Sequence, residues 1–396
     1  SSILIQQGLE EDEKGNLVPS YEFSHLSFQE YLAAKAISEN WIPRKEQKES
    51  IFLSILKEHL DENQWREVVP LTAVLLKRQA KPAIEYLFEE CKGKPARELP
   101  EKERDRKSIA AFHLANCIAA EIPLIPQILD KVLLTIANHS YDIQSINIQS
   151  AEENIDVFKT IYHSEKYGKN LKNVVENQLF DNKKTRCFSG ISNVWIKIYH
   201  EEKGDFNLET VVQLLKGVER RKRISGALLM MDWVFTSRRR EKFSLKKERK
   251  MYNEIFPLIP DLLNETDMGE CFAASWCIAW AGYNQRNIIP DNCIPTIVER
   301  LIPLWCTVSD VYDVRRVLSW AICSISQRGL KIESNIEIER AISIYTEHPE
   351  TEFDKTAAIY MQVLLGKITV NNIKKKDLYG MFVDSRFIKE MGYKDL

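Results

Sequence analysis

Glycine and proline are scarce, 14 of each among 396 residues, against roughly 12% for the two together in an average chain. So little turn chemistry excludes a β-sandwich, barrel or propeller, and leaves no room for collagen-like or low-complexity segments. Long apolar runs are missing too. None reaches the roughly 18 residues that a membrane-spanning helix needs. The eight cysteines occur singly and never as C-x-x-C. Cys117, Cys271, Cys277 and Cys323 sit inside apolar stretches. They read as buried thiols of a cytoplasmic protein, not as a disulfide framework. Charge of either sign is not in excess, with 55 basic and 57 acidic side chains for a net charge of −2. Overall charge therefore points to no nucleic-acid or membrane partner. The first residues, Ser1-Ser2-Ile3-Leu4, carry neither a basic leader nor a start Met, so they are not expected to be a signal peptide and read as the middle of a longer pattern. What the chain does have is 44% hydrophobic and 28% charged residues. That is a globular balance suited to helices joined by short polar turns.

The chain opens with Ile3–Leu9, expected as a helix end with Gly8 as its C-cap. A polar turn follows at Glu10–Asn16, then Tyr21-Glu22-Phe23, whose alternation suggests a strand. Together these read as a small β-hairpin attached to helices. Ser27 with Glu30 three residues on has capping-box spacing and starts a helix whose apolar stripe is Phe28, Tyr31, Leu32 and Ile37. His25 stands just before that helix. Free amides at a helix start attract anions, so His25 is a candidate phosphate contact. The alternative is a histidine that closes a hairpin onto a helix.

Residues Phe23-Ser24-His25-Leu26-Ser27-Phe28-Gln29-Glu30-Tyr31-Leu32-Ala33-Ala34 resemble the signature that ends the winged-helix domain of NACHT-type STAND NTPases, F-x-H-x-S/T-F-Q-E-F/Y-L/F-A-A. The preceding hairpin resembles that family's wing. Trp65-Arg66-Glu67-Val68 resembles a helix that often follows, which extends the likeness to about residue 90. The resemblance implies a multidomain switch: an upstream ATP-binding NACHT module, and a downstream array that restrains it or senses a trigger. It also implies that His25 contacts the β-phosphate of ADP in the closed state. Bound ADP or ATP with magnesium is expected in the parent protein, and no cofactor in these 396 residues.

The NTPase itself is not legible here. A P-loop needs G-x-x-x-x-G-K-[S/T]. The nearest sequence, Gly366-Lys367-Ile368, has Met361 where the leading glycine belongs and Ile368 where a hydroxyl belongs. Cys91-Lys92-Gly93-Lys94-Pro95 fails similarly. No catalytic residue is assigned, and no enzyme activity is expected of this polypeptide alone. His113 and Cys117 share a helix face, but no second pair completes a metal-ligand set.

Beyond a charged, Pro-bearing stretch at residues 92–107 the chain repeats itself. An amphipathic helix, a polar turn and a second helix rich in small and aromatic residues recur. Second helices are expected near 109, 187, 224, 271, 314 and 355, with a weaker copy around 145–162. Periods of roughly 37–47 resemble HEAT or armadillo repeats, and Asp313-Val314-Arg315 resembles the HEAT D-V-R motif. Ala273, Ala274 and Ser275 permit close helix approach, and Trp276, Trp280 and Trp320 fill the space between layers. The expected fold is mainly α. It comprises a winged-helix end over 1–40, a helical connector over 41–107, and an α-solenoid of HEAT-like pairs over 108–396, offering an extended surface.

One local charge feature stands out. Between 220 and 250 there are twelve Lys or Arg and three acids. Arg220, Arg221, Lys222 and Arg223 fall in one repeat's turn, and Lys183, Lys184 and Arg186 in the equivalent turn before it. Stacking would align them into a ridge for an acidic protein or a nucleic acid, interrupted in the next repeat by Asp267 and Glu270. The alternative is a solvated face. The function expected is the regulatory or sensor region of a NACHT-type STAND NTPase in innate or antiviral defence. Its partners are the upstream module and a trigger, a protein foremost and nucleic acid second, with oligomerisation of the parent on activation. The competing expectation is a stand-alone HEAT-like protein-binding scaffold.

Overall fold

Two strands and a long succession of helices make up the chain in a computed structural model. It describes residues 4–11, 17–23, 26–41, 50–93, 101–140, 143, 156–181, 188–237, 245–283, 288–307, 312–326, 331–349, 353–369 and 373. The protein is mainly α, as its shortage of turn residues requires. The described residues fall into two compact units, Ser1–Val175 and Glu176–Leu396. The expected boundaries at 40 and 107 both lie inside the first.

In the first unit, β1 (Leu4–Glu11) pairs antiparallel with β2 (Leu17–Phe23). The expected helix end at Ile3–Leu9 is thus corrected to a strand. Gly8 does not cap a helix; the register slips between Gln6 and Gly8, where an extra residue enters one strand. Helix α1 (Leu26–Ser38) follows and packs on α3 (Val68–Leu76), with α2 (Ile51–His59) between them in sequence. Next come α4 (Lys81–Cys91), α5 (Glu101–Ala119), α6 (Pro126–Asn138) and α7 (Val157–His163). Residues 101–107, expected in a loop, form the first turns of α5. Their charges made them look like a linker, but Arg106 donates to Glu90 at 3.1 Å and to the Tyr86 hydroxyl at 2.6 Å. Those contacts anchor the start of α5 to α4. Leu87, Leu114, Ala115, Ile118, Leu133 and Ile136 are fully covered at the centre.

Helix α8 (Gly168–Glu176) ends at the division between the units. The second unit then alternates two kinds of helix. One set is α9 (Phe188–Lys203), α11 (Arg220–Ser237), α13 (Met268–Tyr283), α15 (Tyr312–Ser326) and α17 (Asp354–Leu364). From α11 onward each packs side by side with the next. The other set is α10 (Leu208–Leu215), α12 (Leu245–Ile255), α14 (Ile294–Thr307) and α16 (Ile336–Glu347). Of these, α10, α14 and α16 each pack on the helix that follows. The starts at 188, 220, 268, 312 and 354 track the periodicity expected from 187 onward.

Small residues set the spacing. A Cβ on Gly226 would come within 2.9 Å of Leu215, and one on Gly282 within 2.8 Å of Ser324. The pairs α10–α11 and α13–α15 therefore approach closely only because those positions are glycine. Aromatic rings fill the rest: Trp280 meets Trp320 edge-on at 4.9 Å, and Trp320 stacks on Phe353 at 5.7 Å.

Candidate functional site

Around the signature segment, His25 lies outside the described residues, so the geometry there is that of its neighbours. Helix α1 turns Ala34 and Ile37 inward, both nearly covered, and leaves Phe28, Tyr31 and Leu32 between 39% and 43% exposed. The expected single stripe is therefore corrected. At about 100° per residue, Ile37 points away from Phe28, so one helix carries two apolar faces. Among the described residues, seven of the twelve large apolar side chains that stand exposed lie in the first 41 positions: Leu9, Leu17, Val18, Phe28, Tyr31, Leu32 and Trp41. Uncovered apolar side chains are thus concentrated in this part of the chain.

The basic segment behaves differently. Arg220 joins Asp267 through two of its nitrogens, one of them at 2.8 Å, and donates to the carbonyl of Phe180. Arg223 binds Glu270 at 2.8 and 2.5 Å and caps the carbonyl of Val218. Asp267 also accepts the amides of Gly269 and Glu270, so it caps α13 while pairing with α11. Burial opposes its charge. The hydrogen bonds from Arg220 and those amides outweigh burial and hold the carboxyl below its ordinary 3.8. Arg221 pairs with Glu176 at 2.6 Å and lies over the Phe180 ring, and Lys222 pairs with Glu219 at 2.7 Å. The acids expected to interrupt the ridge thus neutralise it, and Arg220 and Arg223 act as bolts between successive helices. Arg221 and Lys222 remain exposed at the surface. Lys183, Lys184 and Arg186 lie outside the described residues.

His113 is fully covered, and burial, helped by the nearby charge of Arg66, lowers its pKa to about 3. It is a neutral core residue. Burial likewise pushes the Cys117 thiol up to about 12, which leaves it inert. No group of three potential metal ligands occurs among the described residues. Two adjoining open grooves run between α3, α5 and α7, of about 590 and 270 Å³, sharing Ala119 and Thr160. The lining of the larger one includes Glu121, Asp156, Lys159, His163 and Ser164, whose hydroxyl donates to the Glu121 carboxylate at 2.6 Å. Among the described residues, no helix is long and apolar enough to cross a membrane.

Comparison with protein-family models and with curated proteins finds no match. The exposed face of α1 was missed at the level of sequence because its residues were assigned to one buried stripe. The angular position of Ile37 was the signal that could have separated the faces.

Proposed function

We propose that this chain is the C-terminal regulatory part of a NACHT-type STAND NTPase, in which the helical array senses a trigger or restrains the ATPase. The observation that carries the reading is the run Phe23–Ala34. Its first residue, Phe23, ends the antiparallel hairpin, and its Leu26–Ala34 part lies in α1. The uncovered face at Phe28, Tyr31 and Leu32 adds support, because it offers an adjoining domain apolar surface to cover. In this reading His25 contacts the β-phosphate of ADP, and the alternating helices of the second unit form HEAT-like pairs that meet a protein trigger, or else nucleic acid. Release of restraint then permits oligomerisation and defence signalling. ATP chemistry belongs to the upstream module.

The reading is tested by the coding sequence ahead of Ser1. A Walker A motif in the same open reading frame is the expected finding. A frame that starts close to Ser1 without one overturns the reading in favour of a stand-alone scaffold.

A further inference from the structure

In a helical solenoid each repeat touches only its neighbours. The second unit breaks that rule at the start of α9. The first turn of α9 reaches past α11 to both α13 and α15. Phe188 stacks on Phe272 of α13, ring centroids 5.3 Å apart and planes 22° from parallel. The next residue, Ser189, gives its backbone amide and its hydroxyl to the same oxygen of Asp313 in α15, each at 3.0 Å. All four residues are at most 2% exposed. Asp313 thus supplies from 124 positions away the acceptor that the start of α9 needs. Its carboxylate also lies in the first turn of α15, where helix polarity favours negative charge.

We propose that Phe188 and Ser189 form a latch that holds the N-terminal edge of the second-helix layer closed, and that its release uncovers Phe272 and Asp313. The latch joins by two side chains and one amide what the repeat pattern alone would leave apart. It therefore opens locally, without unfolding the α15–α17 end of the unit. Its role as a gate rests on the array being the recognition surface, whereas its existence does not.

Hydrogen exchange of the full 396-residue chain tests it without any trigger. In the Phe188→Leu/Ser189→Ala variant, amides of 268–276 and 312–320 exchange about tenfold faster, the loss of one hydrogen bond and part of a ring stack. Those of α16 and α17 are unchanged. Asp313→Asn, which keeps the shape but weakens the acceptor, gives a smaller rise in the same segments and serves if the double variant does not fold. A uniform rise over 188–364, or no rise in either variant, overturns the latch. Neither result bears on the upstream NTPase, which is decided by the coding sequence.

Discussion

Helices α1 and α13 are both rich in apolar residues and use them in opposite ways. Every side chain of α13 from Cys271 to Ala279 is buried, because α11, α15 and the turn before α13 enclose it. Among the described side chains of α1, Ala34 and Ile37 are nearly covered, while Phe28, Tyr31 and Leu32 face outward. Helix α13 is the more apolar of the two, with Glu270 its one charged residue where α1 has Glu30 and Lys35, and it has neighbours on more sides. A helix apolar on all sides is stable in water only when enclosed, and in the proposed reading an adjoining domain covers the outward face of α1. The histidines of the two units differ in the same spirit. His113 in the first is neutral by enclosure. His200 in the second is half exposed, with its Nε2 3.0 Å from the Asp232 carboxylate, and that hydrogen bond raises its pKa above 6.5.

The largest expected effect lies in the enclosed layer. Arg315 and Asp354 are 1% and 0% exposed and pair at 3.0 Å. Asp354 also accepts from Ser319, which in turn accepts from the Trp305 indole. Asp354→Ala leaves a buried guanidinium without this partner and should cost about 3–5 kcal/mol, read as a lower urea midpoint of the second unit. A cost below about 1 kcal/mol would place the pair with exposed ones.

Next comes pH. The folded pKa of His113 lies below its unfolded value, so its contribution is complete above pH 6.5 and is lost as pH falls toward about 3. Within that window the first unit should lose about 1.4 kcal/mol per pH unit. His200 has the opposite sign. Its raised pKa gives stability that is complete below 6.5 and lost as pH rises through the folded value. Acid should therefore open the first unit before the second, measured by exchange corrected for intrinsic rates at pH 7.5 and 5.5. His113→Leu should remove that order, and persistence of the order would show that another group sets it. The smallest effect belongs to α1. Phe28→Ser with Leu32→Ser should change the stability of this chain by no more than about 0.5 kcal/mol, measured by thermal melting. A loss of several degrees in the melting midpoint would mean that the face is already covered within the chain.

Much of the helical order was readable beforehand. The second-helix starts in the second unit follow the repeated pattern of small and aromatic residues, since any helix pair must bury one face against the next. The hairpin was half readable. Tyr21–Phe23 alternates visibly, but β1 carries Gly8 inside a run that looks like a helix end, and only pairing with β2 makes it a strand. The basic segment misled in a specific way. Charge counts identify Arg220 and Arg223 without their partners, which lie 47 positions later at Asp267 and Glu270.

By itself the sequence determined that the protein is helical, that Cys117, Cys271, Cys277 and Cys323 are buried, that these 396 residues contain no P-loop motif, and where most helices of the second unit begin. These follow from local quantities: turn residues, periodicity and motif spacing. Tertiary structure alone decided which apolar faces are covered, that Arg220 and Arg223 serve the fold, and that Ser189 meets Asp313. Each of these depends on a contact between residues far apart in the chain. Such contacts are set by which surfaces stack, a property that neither composition nor spacing contains.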